Sequence, residues 1–313
     1  MYLEKRSFHS EFVPVRGLSY HVRVWRGPEP ASPAALPPLV LAHGWMDVAA
    51  SWQFMADAFS DAFAAGRTLI APDWRGFGQT GLLPEGGWQA DSYWFADYLA
   101  DLDFLLEHYA PGQPVDLVGH SMGGNVAMLY AGVRPARIRR LVNLEGFGLP
   151  DSRPSQAPGR MAQWMDGLKS LARGELALKD YADVHGVASR LMKTNPRLTP
   201  DKARWLAGHW ARPDASGRWQ VLGNPAHKIP GAQLYRVEEA QAFYQRISAP
   251  VLAIEAAIDS MQALWQGRYS LDEYHERLRQ VPDARVAVVQ EAGHMLHHDQ
   301  PEALAGLVEG FLA

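Results

Sequence analysis

The hexapeptide Gly119-His120-Ser121-Met122-Gly123-Gly124 constrains this chain more than any other stretch, because of what stands on either side of it. A short apolar run, Val115-Asp-Leu-Val118, leads in, and the helix-like Asn125-Val-Ala-Met-Leu-Tyr-Ala131 leads out. A serine at the apex of so tight a strand-to-helix turn is held in a strained backbone conformation, and side chains at the flanking glycines would collide across the turn. The hydroxyl is thereby presented to a pocket. The helix that starts there aims free amides, and the positive end of its dipole, at any oxyanion forming beside it. A phosphate-binding loop is the competing interpretation, but the lysine of such a loop and the GxGxxG spacing are both missing.

The rest of the chain has the rhythm such a turn needs. Residues 7–13 and 18–25 alternate in polarity around Arg16-Gly17, as in a half-exposed antiparallel hairpin at a sheet edge. After a proline-rich stretch over residues 28–38, the short apolar runs 39–42, 68–71 and 115–118 read as strands buried on both faces, which points to a parallel sheet. Trp94, Tyr98, Leu102 and Leu105 recur at helical spacing, on a helix that Asp91 or Ser92 could cap. Strand-like segments 138–144, 251–254 and 285–289, a helix over 271–279 and a closing helix extend the alternation to the C-terminus. The expectation is a doubly wound, mostly parallel α/β sheet. Residues 147–246 interrupt it, holding Trp164, Trp205, Trp210 and Trp219 among amphipathic pieces and prolines but no convincing buried strand. Residues 1–146 and 247–313 are therefore read as the core and 147–246 as a helical cap inserted between two strands.

A length of 313 residues suits one such domain with an insertion. The formal net charge of -4, with scattered basic residues, offers no extended positive surface to a phosphate backbone, so nucleic acid is excluded as a partner. The absence of cysteine removes thiol nucleophiles, disulfides and thiolate metal sites. The N-terminal segment has charges but no apolar stretch behind them, and no run approaches the roughly 18 apolar residues of a membrane span. A soluble, cytoplasmic protein that does not engage a membrane is expected.

A serine hydroxyl is too weak a nucleophile at neutral pH without a base, and in this strand order the base should follow the final strand. Of the 12 histidines, His294 lies there, in Val288-Val-Gln-Glu-Ala-Gly-His-Met-Leu-His-His-Asp-Gln-Pro301, with Gly293 allowing a sharp loop and Pro301 opening the last helix. His297 and His298 have no acidic partner at metal-ligand spacing and are read as the start of the terminal helix, so neither a metal nor any other cofactor is expected. Two carboxylates qualify to hold the imidazole. Asp259, a short loop beyond the strand Val251-Leu-Ala-Ile254, is the first choice, with a helix or turn cap as its structural alternative. Glu145, which ends the strand 138–144, is the competitor, because an unpaired glutamate at a buried strand end would be costly. The oxyanion donors are expected at the amides of Met122 and Trp45, the latter in Leu41-Ala-His43-Gly44-Trp45, where Gly44 permits close approach and His43 is structural. His43, Gly44, Glu145 and Trp164 are the candidate pocket residues.

With these residues in hand, the chain resembles the α/β-hydrolase superfamily over nearly its whole length, in the capped branch of esterases and carbon–carbon bond hydrolases. His43-Gly44 matches that family's oxyanion loop, Asp73-Trp-Arg-Gly-Phe-Gly78 the loop after the next strand, Gly119 to Gly123 the nucleophile elbow, Asp259 the usual acid and Gly293-His294 the base. The similar haloalkane dehalogenases place a glutamate after the strand that Glu145 ends. Ala256 and Ser260 depart from the family pattern around the acid. Members with an aspartate at the elbow open epoxides or displace halide, so Ser121 argues against both. The resemblance implies two-step acyl transfer without a cofactor on a small-molecule ester, with an apolar or aromatic acyl pocket suggested by the tryptophans. The alternatives it implies are a hydrolase of vinylogous diketones, more remotely an aminopeptidase, and a non-catalytic ligand-binding member of the same fold.

Overall fold

The hairpin forms between β1 (His9–Val15) and β2 (Leu18–Arg26), antiparallel with Val15 opposite Leu18. Arg16 and Gly17 make the turn with φ of 46° and 81°, the left-handed pair that matches the twist of the flanking strands. In this computed structural model residues 2–27, 36–82 and 90–313 are described, so residues 28–35 of the proline-rich stretch lie outside them.

The chain continues through β3 (Leu39–Ala42), β4 (Thr68–Pro72), β5 (Gly81–Leu82), β6 (Val115–His120) and β7 (Ile138–Leu144). Then come β8 (Asp180–Tyr181), β9 (Ala211–Pro213), β10 (Trp219–Val221), β11 (Val251–Ala256) and β12 (Ala284–Val289). The main sheet runs β1-β2-β4-β3-β6-β7-β11-β12, with β5 paired to β2. From β4 to β12 every pairing is parallel. Every residue of β3, β6 and β11 is buried, as the unbroken apolar runs require. Alternation within the strands divides two cores. Val40, Leu117, Leu141 and Ala253 face one side; Leu39, Leu41, Val118, Val142 and Ile254 face the other, where they meet the terminal helix Pro301–Leu312.

The helix bearing the Trp94 periodicity spans Phe95–Tyr109 and buries Tyr98, Leu102, Leu105 and Leu106. It is not capped by Asp91 or Ser92: Trp94 is the N-cap, without a side-chain hydrogen bond, because the helix begins later than those residues can reach.

Residues between β7 and β11 carry the helices Ala157–Ala172, Val184–Thr194 and Pro200–Trp210. They also carry a small antiparallel sheet of order β8-β10-β9 that the sequence pattern did not announce; its strands are too short to show a period. Val187, Leu191 and Leu206 of this insertion pack with Val48 and Phe54 of the core domain. A last helix, Val237–Tyr244, lies against the helix Met122–Val133 so closely that a Cβ at Gly132 would fall 2.3 Å from the Phe243 carbonyl. Tyr244 is part of the main core, so the return into the sheet domain begins before residue 247. No helix among the described residues is long and apolar enough to cross a membrane.

Candidate active site

Successive connections leave β3 and β6 in opposite directions, so a crevice opens at their carboxyl ends, where open α/β sheets place their ligands. Ser121 stands there, immediately after β6, with φ 52° and ψ −114°. That conformation costs a side-chain-bearing residue about 1–3 kcal/mol and persists only where the surroundings impose it. The Ser121 N–H donates to the Leu144 carbonyl at 2.8 Å and its own carbonyl accepts from Asn125 N–H at 3.0 Å. A Cβ at Gly119 would sit 2.4 Å from the Gly123 carbonyl oxygen, and one at Gly123 only 2.2 Å from that of Ala42. Both glycines are thus required by backbone packed against backbone. Met122 begins the helix, and its amide is among those with no partner inside it.

His294, in the loop after β12, bridges two groups. Its Nε2 lies 3.0 Å from Ser121 Oγ and its Nδ1 lies 3.0 Å from Glu145 Oε2. A carboxylate facing Nδ1 retains the proton there and leaves Nε2 free to accept from the serine hydroxyl. Glu145 is buried, just past β7, in a left-handed conformation with φ 55°. Its Oε1 accepts the Ala256 N–H at 2.8 Å and its Oε2 also accepts the Ser260 hydroxyl.

Asp259, the first choice from sequence, does not meet His294. Its carboxylate accepts the Met261 N–H at 2.8 Å and caps the short helix Ser260–Trp265. The loop after β11 turns straight into that helix, so the side chain is spent on an orphan helix amide. Ser260, seen in the sequence only as a departure from the family pattern, is the residue at the start of that helix whose hydroxyl reaches Glu145.

The loop after β3 is pressed against the elbow. A Cβ at Gly44 would lie 3.2 Å from Ser121 Cβ and 3.0 Å from His120 Nδ1. His43 is buried and faces away: its Nε2 accepts the Trp74 N–H at 2.9 Å and its Nδ1–H donates to the Gly44 carbonyl at 2.7 Å. Burial lowers its pKa, which suits a neutral ring with one donor and one acceptor nitrogen. Asp73 fixes the same loop from the next strand end, accepting from Ala49 N–H at 2.7 Å, Gln79 N–H at 2.8 Å and His21 Nδ1–H at 2.7 Å. His120 adds a tie that sequence reasoning missed, although it directly precedes the serine. Its Nε2–H donates to the His294 carbonyl at 2.7 Å, and burial pushes its pKa well down, so it stays neutral.

A cavity of about 340 Å³ opens over Ser121 and His294. Gly44 and Trp45 bound it on the sheet side, and Leu191, Leu206 and Trp210 on the insertion side. Trp210 Nε1–H donates to the Met46 carbonyl at 3.0 Å, which fixes the ring in the wall. Of the expected pocket residues, Gly44 lines this cavity while His43, Glu145 and Trp164 do not. His43 and Glu145 lie behind the reacting groups, and Trp164 packs edge-on against Trp94 with ring centroids 6.2 Å apart.

A family model of the alpha/beta hydrolase fold matches residues 37–301. The chain belongs to the α/β-hydrolase family. This α/β-hydrolase is 26% identical over 308 residues to the AB hydrolase superfamily protein YfhM of Bacillus subtilis, covering 96% of this chain and 97% of the relative. It is 24% identical over 303 residues to the sn-1-specific diacylglycerol lipase ABHD11 of Mus musculus, covering 90% and 82% of the two chains. The thioesterase domain from the curacin biosynthetic pathway shares the fold with a TM-score of 0.78 at 24% identity, over 96% of this chain and 99% of that one. The chain is a hydrolase enzyme, as those relatives are.

Behind His294 of this α/β-hydrolase lies a buried polar cluster. His297 and His298 do not begin the terminal helix; they sit in the four-residue helix Leu296–Asp299, and the terminal helix starts at Pro301. An acidic partner is present after all. Asp47, far away in sequence, has its Oδ2 3.8 Å from His297 Nε2. Among the described residues, Asp47, His297 and His298 are the set that could hold a metal ion, with one ligand atom from each within 4.8 Å of the others. Of their six possible ligand atoms two have protein partners, while Asp47 Oδ2, both ring nitrogens of His297 and His298 Nδ1 are buried without one among the described residues. His298 Nε2 meets Ser51 Oγ at 2.5 Å, and Asp47 Oδ1 accepts the Val48 N–H at 2.9 Å. Burial alone would raise the Asp47 pKa, but the neighbouring imidazoles of His297 and His298 hold it at about 2.

Proposed function

We propose that the chain is a serine hydrolase that cleaves a carboxylic ester with an apolar acyl group through an acyl-enzyme. The observation that carries this reading is the continuous chain from Ser121 Oγ through His294 to Glu145, each link 3.0 Å, opening onto a largely apolar cavity. His294 Nε2 takes the hydroxyl proton as Ser121 Oγ bonds to the ester carbonyl carbon. The amides of Met122 and Trp45 receive the oxyanion, and Gly44 lets the second loop come close enough to contribute. His294 returns the proton to the departing alkoxide as the ester C–O bond breaks. Water then enters, gives its proton to His294 and adds to the acyl carbon, and Ser121 leaves with that proton. Glu145 holds the imidazole in the required tautomer and balances its charge while it is protonated.

Two relatives act on acyl compounds by their names, one a diacylglycerol lipase and one a thioesterase domain, which supports acyl transfer as the reaction class. The test is labelling by a fluorophosphonate together with hydrolysis of p-nitrophenyl esters from acetate to decanoate, alongside a vinylogous diketone. Labelling and ester turnover that vanish in Ser121→Ala support the proposal. Absence of labelling in wild type overturns it in favour of a ligand-binding protein, and turnover of the diketone alone transfers the reading to carbon–carbon cleavage.

A further inference from the structure

The insertion contributes more than apolar wall to the cavity. Lys179, Arg190 and Lys228 line the same space as Ser121, and all of them are exposed at its rim. The acids near them are taken. Glu175 pairs with Arg173 at 2.5 Å, Asp180 pairs with Arg218 at 2.5 Å, and Asp183 caps the helix Val184–Thr194 through the Gly186 N–H at 2.9 Å. Among the described residues, none of the three rim cations has a carboxylate within salt-bridge distance. Lys228 Nζ donates to the Ala177 carbonyl at 2.5 Å, which stands it beside the segment that carries Lys179. The acid in the cavity wall is Asp47, which is buried and faces His297. The cavity is therefore lined on the insertion side by three exposed cations together with apolar residues such as Leu191, Leu206 and Trp210, and on the sheet side by Ser121.

A wholly apolar substrate would leave these cations without any function in binding. Like charges that share one cavity without a carboxylate partner also repel one another, and an anion at the rim relieves that repulsion. We propose that the substrate is amphiphilic: an ester or thioester whose apolar portion fills the cavity and whose carboxylate or phosphate group docks on Lys179, Arg190 and Lys228. This rests on the acyl-transfer reading of the Ser121 site and adds the substrate's charge and where it is read. Lysine ammonium groups and one guanidinium suit either oxyanion.

The test compares paired substrates in one buffer of low ionic strength. One pair is mono-p-nitrophenyl suberate, with a distal carboxylate, against neutral p-nitrophenyl octanoate. The other is octanoyl-coenzyme A, with phosphates, against the neutral N-acetylcysteamine thioester of octanoate. The readout is the ratio of kcat/KM, anionic over neutral, for each pair. We expect a ratio of about ten or more for at least one pair, from three partly screened charge contacts, declining as salt is added. The favoured pair names the carboxylate or the phosphate. In the triple variant Lys179→Ala/Arg190→Ala/Lys228→Ala the ratio should fall to near one, and in Arg190→Glu below one, while Lys169→Ala, an exposed lysine paired with Asp166 away from the cavity, keeps it. Fluorophosphonate labelling of each variant verifies that it is folded. Ratios near one for both pairs in wild type, or ratios that the triple variant leaves in place, overturn the proposal. Neutral esters hydrolysed in that case leave the Ser121 chemistry standing; if no ester or thioester is hydrolysed and no labelling occurs, it is the acyl-transfer reading that has failed.

Discussion

Exchanging Glu145 for glutamine removes one charge at 3.0 Å from His294 Nδ1 while keeping shape and volume. With charge centres about 4 Å apart and an effective dielectric of about 20, the carboxylate stabilises the imidazolium by about 4 kcal/mol, or roughly a thousand-fold in rate. The amide adds a second loss, because its NH2 can turn toward the ring. Nδ1 must then accept, the ring proton moves to Nε2, and the serine loses its acceptor. Glu145→Gln should therefore lower kcat by about 10³- to 10⁴-fold with little change in KM, the signature of an interaction made in the transition state. Asp259→Asn, which touches a helix cap, should stay within about three-fold of wild type. The assay is steady-state hydrolysis of a p-nitrophenyl ester at pH 7.5, with thermal melts to show that both variants are folded. A Glu145→Gln enzyme within ten-fold of wild type beside an Asp259→Asn enzyme down a thousand-fold would refute the assignment.

Gly44→Ala places a methyl group against Ser121 and His120, and should cost about 10²-fold in kcat with a nearly unchanged melting temperature. Gly119→Ala forces a carbon within 2.4 Å of a backbone carbonyl and should abolish soluble expression. Asp101 is fully buried and accepts from Tyr20 at 2.7 Å, Arg16 at 2.9 Å and Arg75 at 2.5 Å; Asp101→Asn should destabilise the fold by about 3 kcal/mol, read as a melting temperature several degrees lower. Burial pushes His227, stacked between Phe77 and Tyr93, down to about 3 and His209 down to about 4. In the unfolded chain both titrate near about 6.5, so as pH falls the unfolded state takes up protons first. Stability should thus decline below about pH 6.5 and be lost progressively toward the folded-state values, by up to about 1.4 kcal/mol per pH unit for each ring. Urea titrations at pH 7 and 5 check this, and His227→Phe should shrink the difference between them.

The elbow and the meeting of Ser121 with His294 were legible because each depends on local chemistry: two glycines that backbone contact demands, a strand before, a helix after, and a histidine past the last strand. The carboxylate beside His294 was not, and the reason is geometric. Leu144 and Ile254 are direct partners across β7 and β11, so Glu145 and the loop leading to Asp259 start from adjacent points and either could reach the imidazole. The left-handed turn at Glu145 and the helix that begins at Ser260 decide between them, and both are properties of the folded backbone. Trp164 and Trp210 lie in equally amphipathic helices; which one faces the cavity depends on how the insertion lands on the core. Asp47 escaped notice as a partner of His297 because no spacing rule links residues at opposite ends of a chain.

The hydrogen bond from His120 to the His294 carbonyl joins segments 174 residues apart. His120 is also bonded covalently to Ser121, so one residue positions the serine on one side and the backbone of His294 on the other. The gap that the proton must cross is thereby referenced to a single strand end instead of to the relative placement of distant loops. Breathing of the sheet or of the insertion can displace the site as a body without stretching that gap. Heating or mild denaturant should accordingly disturb substrate capture before it disturbs proton transfer.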